Sequence, residues 1–293
     1  MKFSVKKENT PRICPHSPAR TGRSYLIRAT ALLMLAVLFC GLGIQAFAAS
    51  QSFSWYCVRR KDHTQPKADA NMDFSASYPM YYVDTRHGDD NPEKVVYLTF
   101  DAGYENGNVE KILNVLKEEQ VPGAFFVLGH VIDKNTTLIQ RMFDEGHLVC
   151  NHTLRHHDMT KATEEEFRRE LQALENLCLE KLGRNLDPYY RPPEGRYNEE
   201  NLGWAEKLGY KTVFWSLAYA DWDNNNQPDP ANALQKIRDN IHNGAIILLH
   251  PTSATNAAIL KDLIVGLKKD GYRFGTLNEL TAQDGGEAAA HEN

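Results

Sequence analysis

The sequence predicts an α/β protein built as a distorted (β/α) barrel, complete or one strand short, with seven or eight parallel strands. Three observations predict it. From residue 94 onward, short apolar runs rich in β-branched and aromatic residues alternate with segments of helical spacing. Seven such alternations fill about 190 residues, which implies a parallel sheet in a compact barrel. An ionisable residue stands just past one run after another, on the rim where α/β folds bind their ligands. An open doubly wound sheet is the alternative, but no glycine-rich phosphate loop follows the first run.

The organising run is VVYLTF at 95–100, unbroken and suited to a strand buried on both faces. It ends in Asp101. Gly103 and Gly107 then break it, and a helix over about 107–120 follows. AFFVL at 124–128 leads to a helix over about 135–145, and HLVC at 147–150 to a long charged helix over about 163–182. PYYRPP at 188–193 precedes a helix at 198–208, and KTVFWSL at 211–217 one from about 230 to 241. AIILLH at 245–250 precedes a helix over about 256–269, and YRFGTL is the last short strand. Residues 50–93 are irregular: a polar KDHTQPKADAN stretch, then Tyr78, Tyr81 and Tyr82. They read as a mobile linker and an arm that packs its tyrosines on the main domain. The expected organisation is an N-terminal segment at 1–48, linker and arm at 49–93, a catalytic domain at 94–280 and a flexible tail at 281–293.

The N-terminal segment reads as an export signal. Lys2, Lys6, Lys7, Arg12, Arg20, Arg23 and Arg28 face a single acid, Glu8, and an apolar run from Ala29 to Ile44 follows. Ala46-Phe47-Ala48 then supplies small residues at signal-peptidase spacing. Both a cleaved signal and a retained membrane anchor fit; Gln45 shortens the apolar run and favours cleavage. Phe39 before Cys40 argues against a lipoprotein anchor. Taking seven basic and one acidic side chain from totals of 33 and 38 leaves 26 basic against 37 acidic, a formal charge of −11. Nucleic acid and anionic lipid are bound mainly through Lys and Arg, so this balance argues against both as partners. Three of the five cysteines, Cys57, Cys150 and Cys178, lie beyond the export segment and make no disulfide framework, although one pair is left open.

Candidate site residues come from the strand ends. Asp101, His152, Arg191, Asp221 and His250 each follow an apolar run and converge on one rim if the barrel forms. On its own segment, Asp101 reads equally as a turn former or helix cap. His152 and His156 are four apart, which on a helical turn sets both imidazoles on one side, at a spacing suited to one divalent metal such as zinc. Among eleven histidines such a pair also arises without function. Arg191 has a bland reading as an ion-pair partner, and Trp222 as core. His250 ends five apolar residues, which suits a general acid or base.

Taken in order, TFDAGYENG, NHTLRHHDM, RPPEGRY, FWSLAYADW and IILLH resemble the five signature segments of the polysaccharide deacetylases, carbohydrate esterase family 4, also called the NodB homology domain. The likeness covers roughly residues 94–280. TFDAGYENG with DWDNNNQ looks most like the peptidoglycan N-acetylmuramic acid deacetylases that prepare muramic δ-lactam in spore cortex. The resemblance implies Asp101 as general base, His152 and His156 as metal ligands, and Arg191 as the residue orienting the base. It implies Asp221 as the carboxylate tuning His250, and His250 as general acid. Trp222 would form a groove wall, Leu249 would help seat the acetyl methyl, and the backbone near Tyr104 would offer N–H groups to the oxyanion. One departure concerns the metal: most of the family reads T-F-D-D, the second aspartate being a third ligand, and here Ala102 stands in its place.

The function implied is an exported hydrolase, secreted or anchored on the outer face of the cytoplasmic membrane, removing N-acetyl groups from peptidoglycan amino sugars. Its cofactor would be a divalent metal, zinc by donor type. Its partner would be peptidoglycan glycan strands, with no nucleic acid, membrane contact only through the N-terminal segment, and a monomeric chain. A deacetylase of N-acetylglucosamine or chitin-type glycans and a catalytically silent wall-binding module are the alternatives. Intact Asp101, Arg191, Asp221 and His250 favour an enzyme.

Overall fold

A computed structural model describes residues 50–68, 74 and 77–282; the expected export segment and the chain from residue 283 lie outside the described residues. In chain order the strands and α-helices are β1 (Phe53–Ser54), β2 (Met80–Tyr81), β3 (Lys94–Ala102), α1 (Val109–Glu119), β4 (Ala124–Val127), α2 (Gly129–Lys134), α3 (Thr136–Asp144), β5 (Leu148–Asn151), α4 (Glu164–Leu182), β6 (Asp187–Tyr190), β7 (Arg196–Tyr197), α5 (Glu199–Lys207), β8 (Lys211–Val213), α6 (Pro230–Arg238), β9 (Ala245–Leu249), α7 (Ala254–Lys269), β10 (Tyr272–Phe274) and α8 (Leu277–Leu280). The seven expected strands, β3, β4, β5, β6, β8, β9 and β10, all pair in parallel and curl into the NodB-type barrel. The helix expected over 135–145 is α3, and the short α2, separated from it by Asn135, precedes it in a stretch where no helix was expected.

Strand β3 is the axis of this sheet. Its Val95 carbonyl accepts from Gly244 N on the β9 side, whereas its Val96 and Ala102 carbonyls accept from Gly275 N and Leu128 N, beside β10 and β4. Beyond β8 the chain bends back to β9, where Leu217 bridges Ile247 in parallel and Leu248 N donates to the Leu217 carbonyl at 2.9 Å. A second isolated bridge, antiparallel between Val83 and Ala245, ties the chain after β2 to β9 as well.

Side chains alternate across a strand, so β3 sorts its residues into two layers. Val96, Leu98, Phe100 and Ala102 face outward into the main core, with Ile112, Leu113 and Leu116 of α1 and Leu260, Leu263 and Leu267 of α7. Val95 and Tyr97 face inward with Phe126, Cys150, Tyr189, Val213 and Ile246, and Leu277 and Leu280 of α8 join this inner cluster. Each large aliphatic side chain buried this way contributes roughly 1.5–3 kcal/mol. Helix ends follow local chemistry: α4 starts with a capping box between Thr163 and Glu166 and stops at Gly183, which takes the left-handed conformation.

The expected boundary at residue 93 falls inside the fold, since residues from Ser50 onward cluster as one unit with the barrel. The aromatic side chains of residues 50–93 are the physical reason. Trp55 is buried, stacks on Phe214 at 4.7 Å between ring centroids, and donates its indole N–H to the Trp215 carbonyl at 2.8 Å. Strand β1 pairs antiparallel with β7, and β2 adds to β8 as an eighth strand of the sheet. Asp84, also buried, accepts from the Tyr97 hydroxyl at 2.5 Å and from Arg86 at 3.1 Å. At the other end, Thr281 is buried, hydrogen-bonded to the Tyr189 hydroxyl at 3.0 Å, and so belongs to the fold and not to the expected tail. Cys57, Cys150 and Cys178 are all free thiols.

This packing makes a stability prediction. Trp55→Ala empties a buried aromatic site and is expected to cost about 3–5 kcal/mol, whereas exposed Val58→Ala stays within about 0.5 kcal/mol. Chemical denaturation of the two variants checks it; equal stabilities would mean that residues 50–93 are dispensable to the barrel.

Candidate active site

The chain passes from β6 directly into Arg191, whose side chain has no exposed surface. A buried guanidinium is costly unless its donors are met. Here Nε donates to the Val213 carbonyl at 2.9 Å, and Nη2 to Thr99 Oγ1 at 2.9 Å and the Phe214 carbonyl at 3.1 Å. Nη1 donates to Asp101 Oδ1 at 2.7 Å, and the guanidinium lies 4.1 Å from the centre of the Phe126 ring. Asp101 continues the inward column of β3 past Tyr97 and Thr99. Its burial pushes the carboxyl pKa up, but Arg191 above all, with His152 and His250, outweighs burial and holds it below the ordinary value. Asp101 is therefore ionised at neutral pH.

His152 leaves the end of β5 and is buried. Its Nδ1 lies 2.8 Å from the Arg191 carbonyl, which can only accept, so Nδ1 carries the proton and Nε2 keeps its lone pair. Burial drives the His152 pKa down to about 4, and burial lowers that of His156 as well, so both rings are neutral at pH 7. No helical turn brings them together, contrary to the expectation from their spacing. They sit on a loop in which Thr153 and His156 adopt left-handed backbone with φ of 71° and 60°, and Thr153 Oγ1 accepts from His156 N at 2.9 Å. A β-branched residue at positive φ is strained, and such strain clusters at functional sites. The ring centroids lie 4.9 Å apart.

His152 Nε2 faces Asp101 Oδ2 at 3.6 Å. These are two acceptors without a proton between them, and the pair is satisfied by a cation or a donor in the gap. With Asp101 Oδ2 beside them, the two imidazoles fit a divalent cation held at two protein positions, the others being left to water or substrate. Among the described residues no group of three His, Cys, Asp or Glu side chains is placed to hold a metal. Ala102 supplies no ligand and points into the outer core with Leu98 and Phe100.

His250 follows β9 on its inward face. Its Nδ1 lies 2.7 Å from Asp221 Oδ1, and its backbone N donates to Asp221 Oδ2 at 2.8 Å. Burial works against the imidazolium, but the Asp221 hydrogen bond and charge, with Asp101 adding, prevail and raise the His250 pKa above the ordinary value. Asp221 is fixed in turn by Asn256 Nδ2 at 2.5 Å, and Asn256 Oδ1 accepts from the Tyr219 hydroxyl. Gln227 donates to the Asp221 carbonyl at 2.9 Å and accepts from Ser253 Oγ at 2.5 Å. These supports, with Thr99 and Trp215, escaped the sequence reading. Asn256 lies in the first turn of α7 after His250, and Gln227 ends the DWDNNNQ stretch; neither position has a periodic signature.

Asp101, His156 and His250 open on one cavity of about 610 Å³, walled by Trp215, Tyr219, Trp222 and Leu248, with Glu194 and Gly195 on its edge. Trp222 is 62% exposed and stands edge-on to His250, with centroids 6.3 Å apart. Leu249, expected at the acetyl methyl, is instead outer core: alternation along β9 turns Leu248 to the cavity and Leu249 to the helices. Tyr104 does not line the cavity; it is exposed and its hydroxyl accepts from Asn224 Nδ2.

An ionised carboxylate and an imidazole with a raised pKa, facing one groove at the carboxyl rim of a (β/α) barrel, make an acid–base pair of the kind enzymes use. The comparisons carry this further. Residues 88–213 match the family model described as polysaccharide deacetylase. The peptidoglycan-N-acetylmuramic acid deacetylase PdaA of Bacillus subtilis is 39% identical over 247 residues, 84% of this chain and 92% of that protein. A solved structure of Bacillus subtilis PdaA, described as a family 4 carbohydrate esterase, superposes with a TM-score of 0.75 at 38% identity, covering 80% of this chain and 98% of that one. A family 4 carbohydrate esterase structure from Bacillus anthracis gives 0.64 at 35% identity, over 79% and 97%. The chain belongs to the polysaccharide deacetylase family and is a carbohydrate N-deacetylase. Enzymes of this family are generally metal-dependent.

The electrostatics predict a titration. In Asp221→Asn the hydrogen-bonded charge that most favours the imidazolium is gone while burial and the weaker pull of Asp101 remain, so the His250 pKa is expected to fall. Imidazole NMR titration of wild type and variant reads it directly; an unchanged pKa would mean that Asp221 does not tune His250.

Proposed function

We propose that this is an exported enzyme that removes N-acetyl groups from peptidoglycan, acting on N-acetylmuramic acid on the way to the muramic δ-lactam of spore cortex. The observation that carries it is the pairing of Asp101 and His250 in opposite charge states across a cavity with an exposed tryptophan at its mouth. The substrate class rests on the likeness to PdaA, whose name states an N-acetylmuramic acid deacetylase. Export rests on the basic N-terminal segment followed by its apolar run, through which alone the protein would meet a membrane. One chain carries every group used, so a monomer suffices.

On this reading each residue has a task. Trp222 offers its face to a sugar ring, as aromatic surfaces do at carbohydrate sites, and Leu248 gives the acetyl methyl an apolar wall. Asp101 has one oxygen tied to Arg191, which leaves Oδ2 to take a proton from the attacking water. Asp221 occupies His250 Nδ1, so Nε2 is the nitrogen that hands its proton to the departing amine. Attack thus moves one proton to Asp101, and breakdown returns one from His250 to nitrogen as the C–N bond breaks. His152 and His156 would hold the divalent metal, zinc by their donor type, which when bound polarises the amide oxygen.

Acetate release from purified wall glycan tests the proposal. Free amine is expected on muramic residues, activity should fall with chelator, and Asp101→Asn should cost ~10²- to 10⁴-fold. Amine appearing only on glucosamine would move the substrate, and Asp101→Asn turnover within a few-fold of wild type would remove Asp101 as the base.

A further inference from the structure

The segment 53–59 lies against three residues that line the active-site cavity and bonds their carbonyls in turn. Trp55 N donates to the Gly195 carbonyl at 2.8 Å, Trp55 Nε1 to the Trp215 carbonyl at 2.8 Å, and Arg59 Nη1 to the Ala218 carbonyl at 3.1 Å. Gly195 is required there: its φ is 65°, and a Cβ would lie 2.8 Å from the Trp215 ring and 3.2 Å from Trp55 Cβ. The strap is therefore fitted to the cavity wall. Its last member differs from the other arginines around the site. Arg191 is committed to Asp101, and Arg196 to Asp158 at 3.1 Å and Glu194 at 2.9 Å. Among the described residues Arg59 forms no ion pair; its guanidinium is exposed, held by one neutral carbonyl, with its other N–H groups open to solvent.

Muramic acid differs from glucosamine by a lactyl ether on O3, which carries a carboxylate when no peptide is attached. Such a substrate approaches a protein whose mature part bears an excess of acidic side chains, and whose cavity holds Asp101 and Glu194. A local cation on the rim offsets that repulsion, and a guanidinium matches a carboxylate fork to fork. Resting on the muramic reading above, we infer that Arg59 is the specificity residue that pairs with the free lactyl carboxylate.

Two glycans that differ only at the lactyl group, free acid and methylamide, test this. Steady-state acetate release is measured with wild type, with Arg59→Gln, which removes the charge but keeps a polar side chain, and with Arg59→Lys, which keeps the charge. Wild type is expected to prefer the acid, and the acid-to-amide ratio of kcat/KM to fall about 5- to 10-fold in Arg59→Gln, through KM, as loss of one charge-assisted contact implies. Arg59→Lys should keep most of the preference, and added salt should weaken it in wild type. A ratio untouched by Arg59→Gln overturns the assignment while leaving muramic deacetylation standing. Acetate released from glucosamine residues alone overturns both.

Discussion

The site depends on a guanidinium inside a barrel. Arg191 has no solvent to compensate its charge, so the barrel must supply acceptors from three directions: Thr99 and Asp101 of β3, the Val213 carbonyl that ends β8, and the Phe214 carbonyl beyond it. Removing one partner of such a pair strands a buried charge, at a cost of about 3–5 kcal/mol. The same bonds hold the Asp101 pKa down against burial, which raises it. Through its carbonyl, Arg191 also fixes the His152 tautomer, so one residue sets the state of both the base and the nearest imidazole.

Much of this was legible in the sequence because parallel barrels put chemistry at strand ends. Asp101, His152, Arg191 and His250 each close or follow an apolar run, and the structure gathers them on one rim. What was not legible has particular causes. Leu249 was expected at the acetyl methyl from the family likeness, whereas alternation along β9 puts Leu248 on the cavity and Leu249 in the outer core. The histidine pair was read with helical spacing, whereas two left-handed residues in a loop bring the rings together. Strand β2, two residues long, has no periodicity to find, and so residues 50–93 read as an arm outside the domain. Asn256 and Gln227 act only through Asp221, a relation set by tertiary approach.

The two halves of the site are held by different kinds of structure. The Asp221–His250 half is locked by Asn256, Tyr219, Gln227 and Ser253, all hydrogen-bonded within reach of α7. The histidine half hangs on a strained loop and lacks the carboxylate that most of the family places after the base, Ala102 being committed to the outer core. Preorganised acid–base geometry thus carries more of the site's definition than its metal ligands do. The segment from Phe53 to Arg59, outside the alternating strand pattern, braces the cavity from behind by bonding the carbonyls of Gly195, Trp215 and Ala218.

The central claim is that one cavity holds Asp101 ionised and His250 protonated at the same pH. The pH dependence of kcat/KM for the wild-type enzyme tests it most directly, because its limbs report the free enzyme's acid and base. The account predicts a bell whose acidic limb lies below the ordinary carboxyl value of 3.8 and whose alkaline limb lies above the ordinary imidazole value of 6.5. An activity that rises through pH 6.5 with no alkaline limb beyond it would show that catalysis uses the neutral imidazole, and would contradict the account.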